Sequence, residues 1–195
     1  AMGISGNATV SNSNAGTTLS NVQGVVDIRS SFGPIDVSGI RKGVKIISGN
    51  SNVTIAGIAD AAYVKTTFGL IKASRIGGSL TAENTHGGVT GSSIKGAANV
   101  RTSFSSVILD GVSGGVDVYN QNGSIEVLGL AAKTAGSPGC NPIILRTSFS
   151  PIRVYLPEDA GFNVTARTSF GKINSELPLT VSGSFPFYTV SAGEV

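Results

Sequence analysis

A short motif written at fixed spacing constrains this chain more than anything else in it. RTSF occurs at Arg101, Arg146 and Arg167, with near-copies RSSF at Arg29 and KTTF at Lys65. Phe32, Phe68 and Phe104 recur every 36 residues, and Asn14, Asn50, His86 and Asn122 fall midway between them, so the repeating unit is 18 residues. Units begin at Gly6, Gly24, Lys42, Asp60, Gly78, Gly96 and Gly114 and run to Ala131 without insertion or deletion. Two degenerate units follow, 141–158 and 162–179, and the stretch 132–140, with Gly136, Pro138 and Gly139, reads as an inserted loop.

Within a unit the third and fifth positions are small or apolar, as in Val26 with Ile28 and Val44 with Ile46. The twelfth, fourteenth and seventeenth are usually apolar too, as in Ile35, Val37 and Ile40. This is period-two alternation in two short runs separated by Gly- or Ser-containing corners, hence two strands per unit. Composition agrees: 27 Gly, no Trp and only 13% charged residues, with β-branched side chains that suit a pleated, half-buried surface. A unit this short cannot bury its own apolar face, so neighbours must stack on it. The expected fold is all-β: a single-domain β-solenoid (β-helix) over residues 1–195, with about nine coils and parallel sheets. Residues 1–5 and 180–195 are expected to cap the ends, because an open solenoid end is an unpaired edge.

A coil of 36 residues would stack Phe on Phe continuously, but it would also stack Arg29, Lys65 and Arg101 about 4.8 Å apart. An 18-residue coil interposes Ile47 and Glu83 between those cations and is preferred. In that frame Arg or Lys falls at position six and faces solvent, Thr or Ser at seven faces inward, and Phe at nine points in at the corner. Where Phe is absent, position nine is Asn or His and position seven is often Asn: Asn12 with Asn14, Asn84 with His86, Asn120 with Asn122. The structural reading is that Phe fills corner volume while Asn bonds to corner backbone that the ladder leaves unpaired. His86 occupies an Asn slot, and one His without a nearby carboxylate, Cys or second His makes no recognisable metal or catalytic site.

The outward feature able to act as a surface is the basic column Arg29, Lys65, Arg101, Arg146 and Arg167. Guanidinium groups suit carboxylate, phosphate or sulfate partners, although solvated charge also serves solubility alone. Carbohydrate cleavage would need two or three carboxylates gathered on one face. Here Asp27 and Asp117 share position four, and Asp36 and Glu126 share position thirteen, but each pair is separated by several coils. Glu83 is the one acid in the basic column itself. No Cys/His cluster, P-loop, GxSxG or GGxGxD calcium repeat appears, so no catalytic residue, metal or cofactor is expected. Net charge of +3 is too mild to argue for nucleic acid. No run of eighteen apolar residues is present to span a bilayer. Ala1-Met2-Gly3 reads as a cloning remnant, and the single Cys140, in the Gly/Pro loop, makes no intrachain disulfide.

The coils, V-x-[TS]-x-[FN]-G-x-I-x-V in outline, are followed by Leu156-Pro157-Glu158-Asp159-Ala160-Gly161-Phe162 and then Asn163 to Ile173 (NVTARTSFGKI). Together they resemble a bacterial family of adhesin-like β-solenoid proteins of unknown function. The resemblance covers roughly residues 6 to 179, and its better marker is the LPEDAGFNVTARTSFGKI segment. This chain departs from the pattern in repeating Phe-Gly or Phe-Ser where Ser-Gly-Asp is frequent, and in carrying the Cys140 loop. The resemblance implies an extracytoplasmic location, at the cell surface, in the periplasm or secreted, and supplies no catalytic residues. The expected function is a non-enzymatic scaffold, not an enzyme, binding an anionic glycan or another envelope protein; the alternative is a polysaccharide lyase- or hydrolase-like enzyme using the basic column for substrate charge. A spacer without a ligand is not separable from the first by sequence.

Overall fold

The computed structural model describes residues 1–131 and 141–157 in full, and the backbone of the strands at 163–168, 180–182 and 188–191. Every element among these is a strand, and the chain winds as a flattened solenoid, alternating between two sheets at each half-coil. In chain order the strands are β1 (Met2–Ile4), β2 (Ala8–Asn12), β3 (Thr17–Val22), β4 (Val26–Phe32), β5 (Ile35–Ile40), β6 (Val44–Asn50), β7 (Val53–Ile58), β8 (Ala62–Thr66), β9 (Ile71–Ile76) and β10 (Leu80–Asn84). Then come β11 (Val89–Ile94), β12 (Ala98–Thr102), β13 (Val107–Val112), β14 (Val116–Asn120), β15 (Ile125–Leu128), β16 (Pro142–Thr147), β17 (Ile152–Val154), β18 (Asn163–Thr168), β19 (Thr180–Ser182) and β20 (Tyr188–Ser191). Odd strands β1 to β17 form one parallel sheet. Even strands β2 to β18 form the other, whose far edge carries β20 and β19 in antiparallel pairing.

The register is the repeat made physical. Val26 pairs with Val44, Ile35 with Val53 and Val89 with Val107, each one unit along the sequence. Arg29 pairs with Ile47, and Glu83 pairs with both Lys65 and Arg101, which fixes the coil at 18 residues rather than 36. The expected count of about nine such coils is too high. About seven turns keep the regular spacing, after which β14 pairs with β16 across a longer step, Val116 to Ile143. The difference arises because the later segments continue the ladder without keeping the period: β16 and β17 add one irregular turn, and β18 extends the even sheet, the rest of its unit lying outside the described residues. The inserted loop with Cys140, the second half of the last expected coil and the Phe185-Pro186-Phe187 tail lie outside the described residues.

Inward positions three and five of the even strands face positions twelve and fourteen of the odd ones. Val26, Ile28, Ile35, Ile46, Ile55, Ile71, Val89, Leu109 and Ile125 have no exposed surface at all. Burying each such side chain contributes about 1.5–3 kcal/mol, so the core column supplies most of the cohesion between coils. Position seventeen is also buried, at Val22, Ile40, Ile58, Ile76, Ile94 and Val112, although strict alternation from position fourteen would turn it outward. The chain corrects the phase at position sixteen, where Asn21, Gly39, Gly57, Arg75, Ser93, Gly111 and Gly129 all take positive φ, between 53° and 70°. One left-handed residue per coil inserts an extra outward step and returns the next side chain to the core.

One corner expectation is overturned. Phe32, Phe68, Phe104 and Phe149 are about half exposed rather than turned inward. Strand alternation does not carry past position seven, where the chain bends out of the sheet. Apolar character alone therefore mis-assigned position nine. The side chains lie along the outside of the corner in register: Phe32 opposite Asn50, Asn50 opposite Phe68, and His86 sandwiched between Phe68 and Phe104, its ring centroid 4.5 and 5.2 Å from theirs and its plane nearly parallel to both. Coil-on-coil stacking, which covers ring faces and leaves edges in water, is what holds these aromatics.

Candidate functional site

The even sheet presents positions four and six to solvent, and there the expected basic column takes its place. Arg29, Lys65, Arg101 and Arg146 are exposed, and the backbone register sets Arg167 beside Arg146. Arg29, Lys65, Arg101 and Arg146 share one face but do not form a free row of cations. Lys65 Nζ donates to Glu83 Oε2 at 2.8 Å. Arg101 donates through Nη1 and Nη2 to the two oxygens of Asp117, at 3.1 and 2.7 Å, and Arg146 Nη1 lies 3.7 Å from the same carboxylate. Arg29 Nε stands 4.0 Å from Asp27.

Each of the four cations whose side chains are described, Arg29, Lys65, Arg101 and Arg146, thus has an acid on the same face, which sequence reasoning missed except at Glu83. The acids at position four were compared only with one another, down their own column. The partner of Arg101 lies one coil on and two residues back, so writing positions four and six side by side would have exposed Arg101–Asp117 and Asp27–Arg29. Outward columns on a parallel sheet interact diagonally as well as directly. The bidentate fork on Asp117 is the strongest geometry of the set.

Tyr63, Lys65 and Glu83 form the densest polar cluster. Tyr63 Oη donates to Glu83 Oε1 at 3.0 Å while Lys65 holds the other oxygen. The Lys65 ammonium, bonded to the carboxylate, holds Glu83 below the usual carboxylate range, and the same bond raises Lys65. Tyr63 is raised, first by burial and then by its bond to Glu83. The trio is therefore a settled ion pair with a neutral phenol at ordinary pH, and no member is poised to exchange a proton near neutrality. Because Glu83 is depressed in the fold, its contribution to stability is present above the ordinary value of 4.5 and disappears as pH falls through the lower folded value. Glu83→Gln should cost no more than about 1 kcal/mol at pH 7, since the pair is partly exposed and screened by water. Urea unfolding of both proteins from pH 7 to pH 3 should show that difference closing below pH 4.5.

Behind this face, position seven closes each corner. Thr66, Asn84, Thr102, Asn120 and Thr147 are buried, and four of them donate to the position-ten carbonyl of the preceding coil: Asn84 Nδ2 to Gly69 at 2.7 Å, Thr102 Oγ1 to Gly87 at 3.1 Å, Asn120 Nδ2 to Ser105 at 2.7 Å and Thr147 Oγ1 to Gly123 at 3.3 Å, whereas Thr66 Oγ1 is nearest Phe68 O in its own coil, at 2.8 Å. Asn84 and Asn120 also accept from the N–H of Gly87 and Gly123 in their own coil. The expected bonding of Asn to corner backbone is thus present, carried at position seven. Among the described residues no group of three His, Cys, Asp or Glu side chains is placed to hold a metal ion, and none of the elements is a helix long and apolar enough to cross a membrane. Comparison with models of known protein families, with curated proteins and with solved structures finds no match for this chain.

Proposed function

We propose that this protein is a non-enzymatic scaffold of the cell envelope or of the secreted fraction, adhesin-like in build, which presents repetitive β-sheet faces to an extended polymer or a protein partner. The observation that carries the reading is the outward columns themselves. One residue position recurs at strand spacing over about seven turns, on a wall whose charges are fixed by ion pairs between coils. A surface of that kind matches a partner that also repeats, and each added contact raises the effective concentration of the next. The family resemblance in the coil and LPEDAGFN segments supports the extracytoplasmic part of the proposal.

The alternative, a lyase- or hydrolase-like enzyme on an anionic glycan, has one observation in its favour: Tyr63, Lys65 and Glu83 converge on an exposed face with Arg101 in the neighbouring coil. The scaffold reading is preferred because Glu83 is lowered and Tyr63 raised, the reverse of a carboxylic acid and a phenolate ready for proton transfer near pH 7. Incubation with an array of bacterial and host glycans tests the two. The scaffold should retain polymer or ignore it without producing new reducing or unsaturated ends. Depolymerisation that Glu83→Gln abolishes would overturn the proposal in favour of the enzyme.

A further inference from the structure

At the opposite corner, where each odd strand hands over to the next coil, a shallow groove of about 760 Å³ runs along the rod. Its floor is made of small residues, Gly39, Gly57, Ala59 and Gly77, and its polar side chains are Asn21, Gln23 and Ser93. Three cations line it, Arg41, Arg75 and Lys95. All three are exposed, and among the described residues their side chains have neither an ion pair nor a hydrogen bond. This is the reverse of the even-sheet face, where each described cation of the column meets an acid. Lys42 follows Arg41 in sequence, and the one acid adjoining the lining residues in sequence is Asp60, after Ala59.

The backbone gives a second, independent sign. Position sixteen is left-handed in every regular coil, and four of those coils use glycine there. The three non-glycine residues with positive φ among those described, Asn21 (56°), Arg75 (53°) and Ser93 (54°), all line this groove. Asn tolerates that conformation, but Arg and Ser hold it against a cost of about 1 kcal/mol each that glycine would avoid. The chain therefore keeps polar and cationic side chains where its own repeat favours none.

We propose that this groove is the binding site for an anionic glycan, a chain bearing sulfate or carboxylate groups. The inference rests on the polymer-binding side of the function proposed above and moves the site from the even-sheet face to this corner. Arg41 and Lys95 are three coils apart, about 14 Å along the rod, with Arg75 between them. Acidic groups spaced along an extended chain can each meet a cation, while Asn21, Gln23 and Ser93 bond to intervening hydroxyls. A single-stranded nucleic acid is disfavoured because no aromatic ring lines the groove on which a base could stack.

The test is titration calorimetry of the full chain with heparin, polygalacturonate, neutral dextran and oligo(dT), at low and moderate salt. The groove variant combines Arg41→Ser, Arg75→Gly and Lys95→Ser; glycine at position 75 is the residue its conformation favours, so the fold is retained. Ala59→Glu, on the exposed floor, is a second and separate probe of the site. The column variant Arg29→Ser, Lys65→Ser, Arg101→Ser and Arg146→Ser is the control. Salt-sensitive binding of heparin or polygalacturonate is expected, weakened about tenfold or more in the groove variant and in Ala59→Glu, and little changed in the column variant. Unchanged binding by both groove substitutions overturns the proposal. Loss in the column variant instead returns the polymer to the even sheet, so the groove assignment fails while the polymer reading stands. No binding to either polyanion removes both and leaves a protein partner. Equal affinity for oligo(dT) reduces the effect to unspecific polyanion attraction and also overturns it.

Discussion

Gly87→Ala is expected to lower the thermal midpoint by roughly 6–12 °C, the shift corresponding to about 3 kcal/mol in a domain of this size. Gly87 is the position-ten residue of the coil that starts at Gly78, and the coil before it passes directly against its Cα. A methyl group there would lie 1.6 Å from the carbonyl oxygen of Gly69 and 2.5 Å from Asn84 Nδ2. That carbonyl is the acceptor of the Asn84 corner bond, so relieving the clash also breaks the bond; the first obstacle is backbone, and the Asn84 amide is held by its bonds to Gly69 O and Gly87 N–H. Overpacking alone costs about 1–3 kcal/mol, and the stranded, part-buried carbonyl adds about 1 more. The lesion sits mid-rod. In a structure whose coils contact only their neighbours, it should also divide one unfolding transition into two, as the halves lose cooperation. Circular dichroism during heating reads both effects. Gly6→Ala, where a methyl group meets nothing within 4 Å, should melt with the parent protein. A Gly87→Ala protein that did the same would show that the corner can open without cost.

The same clash explains what could and could not be read from the sequence. The period was legible because every coil must match the next at the same position, so that Val26, Val44 and Ala62 or Ile35, Val53 and Ile71 repeat one environment. Inward and outward positions on the even strands were equally legible, and Arg29, Lys65 and Arg101 stand on the face expected of them. Three things were not. The Phe column lies past the bend, where alternation no longer dictates direction and what matters is the flat group directly above and below, Phe68 on His86 on Phe104. Neutralisation of the basic column depends on a diagonal between two columns, invisible when each is read alone. The groove is set by left-handed backbone at position sixteen, which glycine disguises in four coils as an ordinary corner and which Arg75 and Ser93 give no local sign of adopting.

These misses change where charge is available. A cation already bonded to Asp117 or Glu83 must give up that bond, or share it, before it meets a ligand, so the even-sheet face has less attraction for a polyanion than its Lys and Arg residues suggest. Arg41, Arg75 and Lys95 have no such bond to surrender. The Lys65–Glu83, Arg101–Asp117 and Arg146–Asp117 pairs instead tie coil to coil on the outside of the wall, as the buried ladder at position seven does within it.

Asn120→Ala tests that inner ladder and should cost about 2–4 kcal/mol, because it strands one buried and one part-buried polar group. Asn120 has no exposed surface. Its Nδ2 donates to Ser105 O at 2.7 Å, reaching across the coil boundary, and its Oδ1 accepts from Gly123 N–H at 3.1 Å within its own corner. Truncation leaves the buried Gly123 N–H and the part-buried Ser105 carbonyl without partners, and water cannot reach the N–H without opening the corner. Asn120→Thr separates the two bonds. Thr102, one coil earlier, makes only the boundary bond, from Oγ1 to Gly87 O at 3.1 Å, so a threonine at position 120 should restore the contact to Ser105 while leaving Gly123 N–H unmet. The expected order in urea midpoint is therefore parent, then Asn120→Thr, then Asn120→Ala, with threonine recovering about half of the loss. If threonine is no better than alanine, the boundary bond contributes nothing and the corner is held by the Gly123 contact alone. If both variants match the parent, the position-seven ladder is a consequence of the stacked coils and not one of the forces that stack them.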